Sequence, residues 1–262
     1  LATPHTCSAP VTPGQPDAAH ARAVTSAIET GVALCRDGKA SALVTAPISK
    51  AVLYDAGFSF PGHTEYLAEL TADAPVEGPR GPAMMLSGGG LRVVLATIHL
   101  SLRDALAALT AERIAGIARL THHALIRDFG IAAPRLALAG LNPHAGEGGA
   151  LGREEIEIVN PAAAALRAEG IDITDALPPD TMFHAEARAQ YDAAVCLYHD
   201  QGLIPVKTLD FHGGVNIALG LPIVRTSPDH GTAFAIAGQG VARPDSLIAA
   251  IRQAAEIAEH RG

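Results

Sequence analysis

Apolar residues change their period several times along this chain, and each change marks an element. Between Ala18 and Cys35 the positions Ala23, Val24, Ala27, Ile28 and Gly31 fall three or four apart, the spacing of one helical face. SALVT (41–45) is a short apolar run ended by Pro47 and predicts a buried strand. A short helix is expected from Ile48 to Ala56, and FSFPGHTE turns the chain into a helix over EYLAELT (65–71). PAMMLSGG and LRVVLATIH read as neighbouring strands joined by a turn at Gly88–Gly90. Ser101 caps a predicted helix LRDALAAL, and a longer helix is expected over 112–129. RLALA (135–139) predicts a strand, 140–149 a glycine-rich loop, and the stretch from Arg153 to Glu169 a helix. YDAAVCLYH (191–199) reads as a buried strand with a polar end, VNIALG and IVRTSP as short extended segments, and Pro244–His260 as the last helix. Residues 1–17, rich in Pro, Ser and Thr, are expected to be extended or loop.

Buried strands alternating with helices predict an α/β architecture with a mostly or partly parallel sheet. No repeat or low-complexity linker separates domains, so two domains, if formed, are discontinuous. With 48% apolar residues and a mean hydropathy of +0.22, the chain has the composition of a folded core. Tryptophan is absent and aromatics reach only 4%, so Ala, Leu, Val and Ile must fill that core. The formal charge of -8 and the lack of a Lys/Arg stripe argue against nucleic-acid binding, while leaving room for a local cationic pocket. Cys7, Cys35 and Cys196 are too few and too scattered for a disulfide framework or a zinc knuckle, which points to a reducing compartment. No apolar run has the length of a membrane span, and the first residues lack the pattern of a signal peptide.

Three histidines occupy similar places in the pattern: His99 closes LRVVLATIH, His144 follows RLALA, and His199 follows YDAAVCLY. Ligands of open α/β sheets collect at the carboxyl ends of strands, so three imidazoles there could converge on a divalent ion. The alternative for each is a surface or capping residue, and His122, His123, His184 and His212 compete on residue type alone. PGHTEYLAE places His63 and Thr64 at a helix start, where an anion or a simple Thr64 cap would serve the first turn. YHDQGLIPVK concentrates His199, Asp200, Gln201 and Lys207, with Asn216 and Arg225 close behind in the chain, and so predicts a polar cleft lining. DHGTAFAIAGQG is a loop or ligand-facing turn; it is not a GxGxxG fingerprint, and no Walker A motif occurs.

Taken together, LVTAPISK, GHTEYLAE, LATIHLSLR, GLNPHAGEGG, LPPDTMF, YHDQGLIPVKTLDF, GVNIALGLPIVRTSPDHGTA and IAGQG resemble, in order, the 4-hydroxythreonine-4-phosphate dehydrogenase (PdxA) family of vitamin B6 synthesis. The resemblance spans nearly the whole chain. It implies an isocitrate/isopropylmalate dehydrogenase-like fold of two α/β/α domains with an interdomain cleft. The expected division is 1–64 plus 222–262 for the first domain and 65–221 for the second.

The implied metal ligands are His99, His144 and His199, the first two from one subunit and the third from the partner of a homodimer, for Zn, Co, Mg or Mn with Zn favoured by imidazole ligands. The implied substrate contacts are His63, Thr64, Lys207, Asn216 and Arg225. HGTAFAIAGQG resembles the HGSAPDIAGKG loop that binds NAD in related dehydrogenases, implying contacts from His230, Gly231, Thr232, Ala233 and Gly238. Ala235 stands where those relatives carry an acidic residue, and the loop does not separate NAD from NADP.

The implied reaction oxidises the C3 hydroxyl of 4-phosphooxy-L-threonine with NAD and a divalent metal. Its product, a β-keto acid, loses CO2 to give 3-amino-2-oxopropyl phosphate. Asp200 or Asp180, through water, is the expected proton acceptor, and Lys207 the group that orients an anion. Alternatives are a sister dehydrogenase of 4-phosphoerythronate, D-threonate 4-phosphate or a dihydrodiol. The family's opening strand and its GDPAGIGPE motif have no counterpart here, which adds a third expectation: an incomplete first domain and an inactive, metal-holding dimer. A cytoplasmic location is expected from the cofactor.

Overall fold

Side-chain alternation along the strands decides how the layers stack. In the computed structural model, which describes residues 6–60 and 62–262, the strands are β1 (Leu43–Val44), β2 (Ala83–Gly88), β3 (Leu91–Leu95), β4 (Arg135–Ala139), β5 (Asp172–Leu177), β6 (Ala193–Cys196), β7 (Val215–Leu219) and β8 (Arg225–Pro228). The helices are α1 (Ala21–Arg36), α2 (Lys50–Asp55), α3 (His63–Leu70), α4 (Leu102–Ala108), α5 (Ala111–Phe129), α6 (Asn160–Ala168), α7 (Ala185–Arg188), α8 (His199–Leu209) and α9 (Asp245–His260). The fold is α/β, its two domains sharing one mixed sheet in the order β1-β8-β7-β2-β3-β6-β4-β5.

Odd and even strand residues enter different cores, so the centre of the sheet is buried on both faces. Leu136 and Leu138 of β4 pack with Val94 of β3 and Met85 of β2 on the face covered by α5, α6 and α9. Ala137, Ala139, Val93, Leu95 and Leu86 point the other way, against Leu203 and Val206 of α8. A third cluster joins Ile28 and Val32 of α1 to Tyr66 and Leu67 of α3 and to Ala218, Leu221 and Ile223. Full burial of one such Leu or Ile contributes about 1.5–3 kcal/mol, and these layers hold most of that gain. The longest helix is fixed at both ends: Thr110 Oγ1 accepts from the Arg113 N–H at 3.2 Å, and Gly130 closes it in the left-handed region.

Several sequence expectations change. The sheet is mixed: β1–β8, β3–β6, β4–β6 and β4–β5 are parallel, whereas β2 pairs antiparallel with both β3 and β7, and β7 with β8. Short connections permit the β2–β3 and β7–β8 pairs, whereas β2 and β7 meet from distant parts of the chain. The half-exposed edge strand β5 shows no apolar alternation and was not anticipated. The strand expected over 191–199 stops at Cys196, and His199 opens α8 instead of closing a strand. The helix expected from Arg153 begins with a π-helical turn over Glu155–Val159 before α6. Of the expected N-terminal loop, residues 1–5 lie outside the described residues, as does Pro61 in the turn before α3. Among the described residues no helix is long and apolar enough to cross a membrane.

Candidate active site

Parallel pairing of β3 with β6 brings the segments after them to the same edge of the sheet. His99 and His199 therefore meet, with ring centroids 5.6 Å apart, although they are distant in sequence. They share a cleft of about 350 Å³ with His63 and Thr64 of α3, Asn216 of β7, Arg225 and Ser227 of β8, and the turn Asp229–Gly231.

Arg225 is only 4% exposed. Its Nη2 donates to Thr45 Oγ1 at 2.9 Å and lies 3.3 Å from His63 Nδ1, while its Nε has no partner among the described residues. Burial lowers its pKa to about 10, which still leaves it charged at neutral pH. Burial and then the Arg225 charge lower His63 to about 3, so this imidazole is neutral. His63 Nε2 and Asn216 Oδ1 are likewise buried without a partner. Each such atom costs about 1–3 kcal/mol when left unsatisfied. Three around one cleft mark a place for a polar ligand, and the guanidinium gives that ligand a negative charge.

The histidine pair has the chemistry of metal ligands. Burial, followed by the charges of Lys50 and His199, lowers the pKa of His99 and favours the neutral ring that can donate a lone pair. His199 Nδ1 lies 2.7 Å from Asp200 Oδ1, which leaves Nε2 free to face an ion, the usual arrangement of an oriented metal-binding histidine. His144 is exposed and does not line the cleft. Within one chain the pair that meets is thus His99 with His199, not His99 with His144. Among the described residues, no three His, Cys, Asp or Glu side chains of one chain are grouped to hold an ion.

His144 rides on a turn of unusual geometry. Residues 144–148 all have positive φ, including His144 (54°), Ala145 (51°) and Glu147 (44°). For residues with a Cβ this conformation costs about 1–2 kcal/mol each, so neighbouring contacts must enforce it.

Several of the remaining expected site residues lie outside the cleft. Lys207 donates to the Asp229 carbonyl at 2.9 Å and pairs with its carboxylate at 2.8 Å, so it reaches the cleft only through Asp229. Asp180 and Asp200 line a separate depression of about 400 Å³ along another stripe of α8. His230 and Gly231 reach the cleft, whereas Thr232 lines a second cavity of about 390 Å³ with Phe234, Ala237 and Leu53. The two cavities share Pro47 and Ile48. Ala233 and Gly238, both at positive φ, shape this loop. Thr64 does not cap α3, since no side chain does; the helix start is open to the cleft. His122, His123, His184 and His212 do not line the cleft.

Sequence reasoning missed Lys50, Met84, Leu203, Ser227 and Asp229 as lining residues. Lys50 had a signal, since it ends the polar tail of LVTAPISK; Met84 had none, because only strand pairing turns it toward the cleft.

These features define an α/β protein whose cleft sets a buried guanidinium and the neutral His63 beside the pair His99 and His199, with a largely apolar second cavity next to it. The chain belongs to the family described as pyridoxal phosphate biosynthetic protein PdxA, which it matches over residues 2–254. It is 75% identical over 254 residues to the 4-hydroxythreonine-4-phosphate dehydrogenase of Maricaulis maris, covering 97% of this chain and 75% of that protein. The crystal structure of the Klebsiella pneumoniae 4-hydroxythreonine-4-phosphate dehydrogenase superposes with a TM-score of 0.84 at 44% identity, covering 95% of this chain and 74% of that one. A terephthalate 1,2-cis-dihydrodiol dehydrogenase from Burkholderia xenovorans superposes with a TM-score of 0.67 at 32% identity, covering 94% and 76%.

Proposed function

We propose that this chain is the NAD-dependent dehydrogenase of 4-phosphooxy-L-threonine, oxidising its C3 hydroxyl to 2-amino-3-oxo-4-phosphooxybutanoate, which decarboxylates to 3-amino-2-oxopropyl phosphate. The observation that carries this reading is Arg225: a buried guanidinium without a carboxylate partner among the described residues, facing a cleft that also holds His99 and His199. A phosphorylated hydroxy amino acid offers an anion for the first and hydroxyl and amino donors for an ion at the second.

In this reading Arg225, neutral His63, Asn216 and the open start of α3 at Thr64 bind the phosphate, and Lys50 adds a second cation to the cleft. Lys207 acts as a strut that holds Asp229 at the cleft wall. His99, His144 and His199 hold the divalent ion, zinc or cobalt by ligand type, and Asp200 fixes the His199 tautomer. When bound, the metal and NAD supply Lewis acidity at the hydroxyl and a hydride acceptor for C3. Proton removal through water to Asp200 or Asp180 belongs to the same reading. The loop from His230 to Gly238, running from the cleft to the apolar cavity, holds the dinucleotide.

The isocitrate/isopropylmalate dehydrogenase-like arrangement, with domains 1–64 plus 222–262 and 65–221, is also proposed. Support for it is that His63, Arg225, Ser227 and the 229–231 turn of the first unit line one cleft with His99 and His199 of the second. Two observations support a homodimer that shares its site. Among the described residues the three histidines do not converge in one chain, and large apolar residues stand exposed, including Leu102 at 69%, Ile204 at 62% and Phe211 at 70%.

Steady-state NADH formation from a substrate panel tests the proposal. Metal-loaded protein should turn over 4-phosphooxy-L-threonine at least 100-fold more efficiently than 4-phosphoerythronate, D-threonate 4-phosphate or a cis-dihydrodiol, a gap of about 2.7 kcal/mol. Equal turnover of the non-amino phosphates would remove the substrate assignment, and chelation without loss of rate would remove the metal.

A further inference from the structure

Glu155 is an acidic residue in an unexpected place. It is 2% exposed, on the π-helical turn before α6, and no Lys or Arg pairs with it among the described residues. Its carboxylate instead faces backbone. Oε1 accepts from the N–H groups of Leu141 and Asn142, both at 2.7 Å, and Oε2 accepts from Asn142 Nδ2 at 2.9 Å. Asn142 Nδ2 also donates to Glu154 Oε2 at 2.7 Å. These donors belong to the two residues that lead into the turn bearing His144.

The same carboxylate bounds the turn from inside. Gly146, at φ 80°, is buried against it: a Cβ there would lie 2.6 Å from Glu155 Oε2. Beyond Leu141 and Asn142 the chain passes through five consecutive left-handed residues, a path that His144, Ala145 and Glu147 do not adopt on their own. An acceptor that binds two adjacent N–H groups and one side-chain amide fixes both position and direction of the chain at the turn's entrance, and the close approach at Gly146 fixes its middle.

We infer that Glu155 is a positioning residue for metal binding: it holds the turn 141–148 in the left-handed path that presents His144 to the ion. This rests on the reading of His144 as a ligand given above. Glu155 does not touch the ion itself. It acts through backbone, as outer-shell partners of metal ligands act through side chains.

The test is Co²⁺ titration of the full chain, followed by the visible absorption of the bound ion, which needs no turnover. Glu155→Gln keeps the shape but sets an NH2 donor against either the Leu141 and Asn142 N–H groups or Asn142 Nδ2. Gly146→Ala perturbs the same contact from the loop side and guards against a folding defect at Glu155. Both should weaken Co²⁺ binding by about 10- to 100-fold. His144→Ala should weaken it at least as much, and Glu155→Gln should cause no further loss in the His144→Ala background. If His144→Ala weakens binding and both other variants leave it unchanged, the positioning role fails while the metal reading stands. Additive losses in the double variant overturn it too, because Glu155 would then act independently of His144. Unchanged affinity in His144→Ala removes the ligand reading, and the inference with it.

Discussion

Arg225 shows what the fold sacrifices for a ligand. A buried charge without a counter-charge is a liability of several kcal/mol, eased among the described residues by Thr45 Oγ1 and a neutral His63. Replacing it with an apolar side chain of similar length should therefore separate stability from binding. Arg225→Met is expected to leave the thermal midpoint of ligand-free protein unchanged or raise it, by about 1 kcal/mol of stability or more. The same variant should abolish the midpoint increase that inorganic phosphate gives the parent chain. A differential scanning measurement with and without phosphate checks both; a fall in the ligand-free midpoint with the phosphate effect intact would reject this account. Arg225 was legible in the sequence only as part of a polar set. Its burial and missing partner come from its place in β8, where the strand turns it inward beside Thr45.

At the scale of elements, α8 decides the site more than any motif. Its sequence, HDQGLIPVKTL, contains Gly202 and Pro205, which lower helix propensity, so the pattern read as short apolar stretches. Tertiary packing overrides that: Gly202 lies against β3, where a Cβ would stand 2.7 Å from Leu95 Cδ2, and the missing side chain lets the helix approach the sheet. Gln201 then stitches two strand ends together. Its Oε1 accepts from the Leu197 N–H at 2.7 Å and its Nε2 donates to the Gly140 carbonyl at 2.6 Å. It thereby ties the segment entering His199 to the one entering the His144 turn. Gln201→Leu strands both buried backbone groups and should cost about 2–4 kcal/mol, read as a lower urea midpoint with an unchanged m-value. A loss below 1 kcal/mol would show that other contacts position these ends.

Across the whole molecule, Asp128 joins the end of the longest helix to the end of the last one. It is 1% exposed and accepts from Arg127 at 2.6 and 3.0 Å and from Arg261 at 2.9 and 3.0 Å. Burial alone would raise its pKa, but the hydrogen bonds from Arg127 and Arg261 overcome this and hold it below the usual 3.8. A depressed carboxylate stabilises the native state fully above its unfolded pKa and loses that contribution as pH falls through the folded value. Asp128→Asn should accordingly cost about 3–5 kcal/mol at neutral pH, with the gap from the parent chain narrowing only below pH 3.8. Denaturant titrations at several pH values check this, and a gap that closes near pH 6 would point to another group.

By itself the sequence determined which segments become most of the helices and strands, and which residue types are available to bind an anion or an ion. Period and capping are local properties, so Ser101 and RLALA were readable in place. Only the tertiary structure decided which distant residues meet. The parallel pairing of β3 with β6 makes neighbours of His99 and His199, while His144 stands exposed outside the same chain's cleft. Strand order and burial are set by the summed packing of the whole chain, and no local period encodes that sum.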